Sequence, residues 1–144
     1  MKPKLLLRIA AILILIHAAL HTMGFSGWKN DPDPAKRQVI QGMTGQKFPF
    51  MGTSRNMGEY YDGFGYASSI ALLLIAFLLW VTSGELLSST TLSRKIIMVL
   101  SFGLLFWGVD ELIYFFPFAA TITLLACSCC FLSLLGATKQ ASSE

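Results

Sequence analysis

The segment Ile96–Phe116, IIMVLSFGLLFWGVDELIYFF, is long and apolar enough to cross a bilayer, yet it contains two carboxylates, Asp110 and Glu111. A transmembrane helix needs about 20 apolar residues to cross ~30 Å of hydrocarbon. A charged side chain at membrane depth costs ~2.5–3.5 kcal/mol on insertion scales, so such residues usually face a bundle interior, a partner or a cavity. The segment therefore predicts a membrane helix that carries part of a polar site.

The composition extends this prediction to the whole chain. Of its 144 residues, 54% are hydrophobic and 13% are charged, which lies outside the usual balance of a soluble domain. Residues 26–62 are the longest polar stretch and are too poor in apolar residues to bury a core of their own. We therefore predict an all-α fold, a four-transmembrane-helix bundle that forms one integral membrane domain over residues 1–144, with an outer loop at 26–62. The predicted helices cover about 5–25, 63–83, 96–116 and 117–137.

The charges flanking these helices predict how the chain is oriented. Basic residues before an apolar run are also typical of a signal peptide. However, His17 and His21 interrupt the apolar run of the first helix, and no small-x-small cleavage site follows. We therefore expect the first helix to be retained. The positive-inside rule counts six Lys and Arg on one side against five on the other, which favours both termini in the cytoplasm. The net charge of +3 gives no indication of nucleic-acid binding. The six cytoplasmic residues would be Lys2, Lys4, Arg8, Arg94, Lys95 and Lys139.

In this topology the unusual polar residues collect at the outer end of the bundle. With a helical rise of ~1.5 Å per residue, His21 and His17 lie ~6 and ~12 Å below the end of the first helix. Asp110 and Glu111 lie ~7–9 Å below the end of the third. We expect either carboxylate to converge with both histidines and Arg55. The short apolar segment 48–52 is expected to cover them as a lid.

The spacing of the histidines allows two kinds of site. His17 and His21 lie one helical turn apart and share a face, and Asp110 could complete three ligands for a divalent metal. In a metal-free version, His17, His21, Asp110 and Glu111 would bind a hydrophobic ligand and exchange protons with it, which requires a carboxylate beside a histidine. An interhelical hydrogen bond without chemistry explains the same residues.

The two carboxylates are not equivalent. They point ~100° apart around the helix, so they are expected to face different neighbours. Asp110 shares a stripe with Trp107 and Tyr114 and is therefore the leading candidate for function. The residues predicted to contact a ligand are Arg55, Tyr61, Trp107 and Tyr114.

The cysteines offer a weaker prediction. Cys127, Cys129 and Cys130 include a CxxC spacing within the fourth predicted helix, which resembles small quinone-linked thiol oxidoreductases of the vitamin K epoxide reductase type. The outer loop holds no cysteine pair with which to exchange electrons. We therefore interpret the cysteines as small packing residues, with lipidation and redox roles as lesser alternatives.

Two features of the outer region predict local structure. Asp33 as N-cap and Pro34 at the first helical position would begin a short helix that runs to about Gly42. Gly65 and Ser69 have the small-xxx-small spacing of helix packing in membranes.

The same region carries a resemblance. Its residues follow the pattern M-x4-F-x2-MG-x2-R-x4-YY-x-GFG from Met43 to Gly65, and Phe115-Phe116-Pro117 precedes the last helix. This pattern resembles an uncharacterised family of small bacterial four-helix integral membrane proteins. The resemblance implies four spans in a bacterial inner membrane and places Arg55 in the site, and it implies no reaction.

Two function classes follow. The first is a binding or enzymatic bundle that takes a lipid, a quinone or another small hydrophobic ligand. The second is an accessory or scaffold protein that docks a membrane-protein partner or a second copy of itself. Proton or ion transport is disfavoured because the second and fourth predicted helices have no ionisable interior residue.

Overall fold

The computed structural model describes residues 2–85 and 91–141, with side chains through residue 137 in the last helix. Four of its helices are long and apolar enough to cross a membrane, which confirms the predicted helical class. The orientation stays a prediction, and Lys139, which contributed to it, lies outside the described side chains. The elements are α1 Pro3–Ser26, a 3-10 turn Trp28–Asn30, α2 Pro34–Gly45, β1 Lys47–Phe50, β2 Thr53–Asn56, α3 Met57–Glu85, α4 Thr91–Tyr114 and α5 Pro117–Ala141.

Helix α3 begins six residues before the predicted start at Gly63. The side chain of Asn56 accepts a hydrogen bond from the Glu59 amide, and the Glu59 carboxylate accepts one from the Asn56 amide, both at 2.8 Å. This reciprocal pair is a capping box, which satisfies amides that a helix start leaves without partners. The helix is therefore 29 residues long, or ~43 Å, and only its later part is continuously apolar.

By its contacts the chain divides into two compact units. Unit 1 comprises residues 1–17 and 72–144, and unit 2 comprises residues 18–71. Helices α1 and α3 each contribute residues to both units.

In unit 1, α4 and α5 form the tightest helix pair. Gly108 allows this approach, because a Cβ at that position would lie 2.7 Å from Leu124. Small side chains permit such packing where no hydrophobic effect drives helices together. The Cys127 thiol donates to the Ser101 carbonyl at 3.3 Å, and Cys127 and Cys130 are buried free thiols, in keeping with the predicted packing role.

Hydroxyl groups in the apolar helices are satisfied locally. Ser101 donates to the Ile97 carbonyl at 2.7 Å, and Ser133 donates to the Cys130 carbonyl at 2.7 Å. A hydroxyl that bonds to the preceding turn needs no water. These residues therefore enter an apolar environment without leaving an unpaired polar group.

In unit 2, the end of α1 packs on the start of α3. Gly65 lies under the Phe25 ring, where a Cβ would come within 2.7 Å of a ring carbon. The hydroxyls of Thr22 and Ser69 lie 2.9 Å apart. Gly65 and Ser69 thus face the same neighbouring helix, as their spacing predicts.

The rest of unit 2 is a short helix followed by a hairpin. Helix α2 begins where predicted, with the Asp33 carboxylate accepting from the Ala35 amide at 2.8 Å, and continues to Gly45. Strands β1 and β2 then pair antiparallel around a two-residue turn. Met51 and Gly52 in that turn have φ values of 46° and 80°, as a type I′ turn requires.

Candidate functional site

Three buried polar side chains form a closed network in unit 1. His17 Nε2 lies 3.2 Å from Glu111 Oε1, and His17 Nδ1 lies 3.0 Å from the Thr123 hydroxyl oxygen. The Thr123 hydroxyl donates to Glu111 Oε2 at 2.7 Å. Each residue therefore contacts both of the others. We call these residues the polar triad.

The triad joins three helices at one level. His17 is on α1, Glu111 on α4 and Thr123 on α5, with 5%, 4% and 0% of their surfaces exposed. Glu111 and Thr123 lie six residues before and six residues after Pro117, so the helical rise places them at equal distance from the turn. The triad therefore links α1 to the tightly packed pair α4 and α5.

The contacts of the triad give each of its polar side chains a partner. Since Thr123 donates to Glu111, its oxygen is free to accept from the His17 Nδ1–H. His17 Nε2 in turn lies beside Glu111 Oε1. Burying a polar group without a partner is costly, and this arrangement avoids that cost.

A fourth residue, Trp107, contacts the triad from one helical turn before Glu111. Its side chain interacts with the Glu111 carboxylate and is half-buried. The sequence stripe placed Trp107 with Asp110, whereas the structure places it with Glu111.

The structure also differs from the prediction that favoured Asp110. Asp110 has an exposed side chain, and Glu111 is the carboxylate that lies against His17. The ~100° between neighbouring helix positions is responsible, since only one of two consecutive residues can face α1 and α5. The two carboxylates diverge as expected, and Glu111 occupies the inward position.

His21 has different neighbours in unit 2. Its Nε2 donates to the Gly65 carbonyl at 3.3 Å, and its ring lies 5.5 Å from that of Phe25. Among residues 2–85 and 91–141, no three His, Cys, Asp or Glu side chains are grouped as metal ligands. The predicted metal ligands have separate surroundings, since His17 contacts Glu111, His21 bonds to a backbone carbonyl and Asp110 is exposed.

The remaining predicted ligand contacts have other partners or face outward. Arg55 lies 3.9 Å from Glu59 in a largely exposed ion pair. The Tyr61 ring packs edge-on against Trp28, with centroids 4.9 Å apart, and Tyr114 is 74% exposed. The Trp28 indole also donates to Asp62 at 2.8 Å.

The segment 48–52, which the sequence predicts as a lid, belongs to the β-hairpin of unit 2. Phe48 and Phe50 are 44% and 61% exposed on it, and Met51 at its tip is 89% exposed. The segment is therefore ordered by strand pairing, with apolar side chains that have no cover in unit 2.

Unit 1 also has an apolar groove between α1 and α3 that could hold a ligand. Its volume is 350 Å³, in the range of small-molecule sites. His17 follows Ile12 by five residues, which is ~140° around the helix. The groove and the polar triad therefore use different faces of α1. The residues that line it are Ala11, Ile12, Leu15, Leu73, Ala76, Phe77 and Trp80.

Comparisons of this chain with protein-family models, with curated proteins and with solved structures gave no match. The site is accordingly interpreted from its own geometry.

Thr123 is the functional candidate that sequence reasoning missed. Threonine is common in apolar helices and carries no charge, so it does not stand out by composition. Its distance from Pro117 is the signal that could have found it, because that distance equals the one from Pro117 back to Glu111. A search for polar residues at matching depth on both sides of the turn would have paired them.

Proposed function

We propose that this chain is a multi-pass membrane protein that binds a lipid-like ligand in the apolar groove between α1 and α3. The observation that carries the proposal is the groove itself, which is lined by aliphatic and aromatic side chains from the two helices. Such a surface buries an acyl or isoprenoid chain without leaving polar groups unpaired.

The polar triad supports this function by holding α1 in place. His17, Glu111 and Thr123 contact one another and are buried, so their polar atoms are already engaged. Since His17 fixes the side of α1 that faces away from Ile12 and Leu15, the triad orients the groove wall. This assigns His17 and Glu111 a positioning role and not direct contact with the ligand.

The sequence pattern of the outer region supports a proposal for the family and the membrane in which this function takes place. We propose membership of the small bacterial four-helix membrane proteins that the pattern resembles, in the inner membrane with both termini in the cytoplasm. Cysteine accessibility on intact cells tests the orientation, with single cysteines introduced at Met51 and at Lys2 in a background lacking the native three.

Native mass spectrometry of the purified protein tests the ligand proposal. Leu73 lines the groove and is 49% exposed, whereas its neighbour Leu74 is 56% exposed and does not line it. Leu73→Trp would fill the groove, and Leu74→Trp is its matched control with the same change in size. We expect a co-purifying lipid to fall several-fold in the first variant and to persist in the second. Equal retention in both variants would contradict groove binding.

A further inference from the structure

An arginine lies beside one of the residues that line the groove. The Arg8 guanidinium carbon lies 5.0 Å from the centre of the Trp80 ring, and Trp80 is one of the groove residues. Within the described part of the chain, the Arg8 Nε is buried and has no hydrogen-bond partner. The Arg8 charge therefore lies beside the Trp80 end of the groove, where it favours an anionic occupant.

The spacing of the lining residues gives the groove a direction. Arg8, Ile12 and Leu15 are separated by four and three positions, so they follow one face of α1. Trp80 faces Arg8 at one end of the groove, and Leu73 lies seven residues earlier on α3, ~10 Å along the helix. The groove is thus cationic at the Trp80 end and apolar along the rest of its length.

We propose that the occupant of this groove is an anionic phospholipid whose phosphate accepts hydrogen bonds from Arg8 and whose acyl chain lies between α1 and α3. This inference rests on the proposed lipid-binding function and specifies its ligand. A guanidinium presents a planar fork of donors that matches two phosphate oxygens. Basic pockets between membrane helices bind acidic headgroups in this way.

Two further observations support the headgroup assignment. Lys2 and Lys4 precede Arg8 at the same end of α1, and basic residues near the membrane surface attract anionic lipid. Trp80 is 48% exposed, and tryptophan is enriched at headgroup level. A free phosphate would use the guanidinium alone and would leave the apolar groove empty.

The test compares retention of two lipids by the purified full-length protein. Phosphatidylglycerol and phosphatidylcholine with identical acyl chains are supplied in equal amounts, and bound lipid is counted by native mass spectrometry. We expect wild type to retain several-fold more phosphatidylglycerol than phosphatidylcholine. Equal retention by wild type would overturn the proposal without any variant.

Two charge-removing variants then locate the preference. Arg8→Met keeps an apolar stem, and we expect it to retain the two lipids equally. Lys2→Met removes the same charge from an exposed position at the same end and is expected to keep the preference. An equal loss in both variants would indicate general surface attraction and would overturn the Arg8 assignment.

The groove variants separate this inference from the function on which it rests. Leu73→Trp should lower the retention of both lipids, because it removes the space for an acyl chain. If Leu73→Trp lowers both and Arg8→Met leaves the preference intact, the headgroup assignment fails while groove binding stands. If Leu73→Trp and Leu74→Trp retain lipid equally, groove binding itself fails.

Discussion

The imidazole of His17 and the carboxylate of Glu111 lie 3.2 Å apart in the interior of unit 1, and the hydroxyl of Thr123 bonds to both. Through these contacts Glu111, whose burial in an apolar helix is unfavourable by itself, connects α4 with α1 and α5. The contribution of this network to stability can be measured directly, because the neighbouring Asp110 is exposed and provides a control.

Glu111→Ala is expected to destabilise the protein by about 1–3 kcal/mol, since it leaves His17 and Thr123 without their shared acceptor. Asp110→Ala, at an exposed position, should change the stability by less than ~0.5 kcal/mol. Glu111→Gln should lose only ~0.6 kcal/mol, the average of interhelical hydrogen bonds in membranes. Its amide can donate to His17 while its carbonyl accepts from Thr123. Unfolding in one detergent checks all three variants, and equal losses for both alanine variants would contradict the triad.

Thr123→Val should cost about 1–2 kcal/mol, because a methyl group replaces the hydroxyl between His17 and Glu111. Thr121 is the matched control, since its exposed hydroxyl bonds only to the preceding turn, at 2.7 Å from the Pro117 carbonyl. Thr121→Val is expected to be close to neutral, and Thr123→Ser should recover most of the lost stability. The thermal midpoints of the four proteins decide the matter, and a Thr121→Val loss as large as that of Thr123→Val would argue against a bridging role.

Gly65→Ala is expected to lower the stability of unit 2, because the new methyl group would overlap the Phe25 ring at 2.7 Å. Overpacking of this kind typically costs 1–3 kcal/mol. Gly63→Ala meets no atom within 4 Å and should be neutral or stabilising by up to ~1 kcal/mol, the ordinary gain of alanine over glycine in a helix. In a Phe25→Ala background the Gly65→Ala penalty should disappear. A penalty that persists there would show that Phe25 is not its cause.

Asn56→Ala should cost ~1 kcal/mol at the start of α3, the usual value of an N-cap. The substitution would also remove the hydrogen bond that the Asn56 side-chain amide donates to the Thr44 carbonyl at 3.0 Å. Glu59→Gln keeps the capping box and loses only the exposed ion pair with Arg55, so it should be nearly neutral. Amide hydrogen exchange over residues 56–60 reports the effect. Protection that is unchanged in Asn56→Ala would be incompatible with this capping role.

The hydrogen bond from Lys36 holds the pKa of Asp31 below its ordinary range, and the same contact raises the pKa of Lys36. The contribution of Asp31 is therefore present above about pH 3.9, the ordinary aspartate value, and is lost as the pH falls through the lowered pKa. That of Lys36 is lost as the pH rises through its raised pKa, above ~10.4. An NMR titration of the Asp31 carboxyl group should move towards its ordinary value in Lys36→Gln, and an unchanged titration would exclude this contact as the cause.

The long helices could be predicted from the sequence because a bilayer imposes a length and an apolar composition on every span. Asp33 and Pro34 likewise located the start of α2, since a cap acts through neighbouring residues. The start of α3 was missed because the apolar run begins at Gly63, while the capping box of Asn56 and Glu59 starts the helix among polar residues.

The candidate site was predictable in its depth but not in its direction. The helical rise placed both carboxylates at a depth between those of His21 and His17, whereas the choice between Asp110 and Glu111 depends on how α4 is rotated against its neighbours. A rotation of one residue position, ~100°, exchanges the two carboxylates. His17 and His21 lie one turn apart on α1 and contact different groups, Glu111 and the Gly65 carbonyl.

The hairpin and α3 share a boundary without a linker, since β2 ends at Asn56 and α3 begins at Met57. The capping box spans that boundary, so hydrogen bonds as well as the chain itself join the first turn of α3 to the strand before it. Met51 lies at the tip of the hairpin, so we expect it to move when the start of α3 tilts. A spin label at Met51 would therefore detect reorientations of this end of α3.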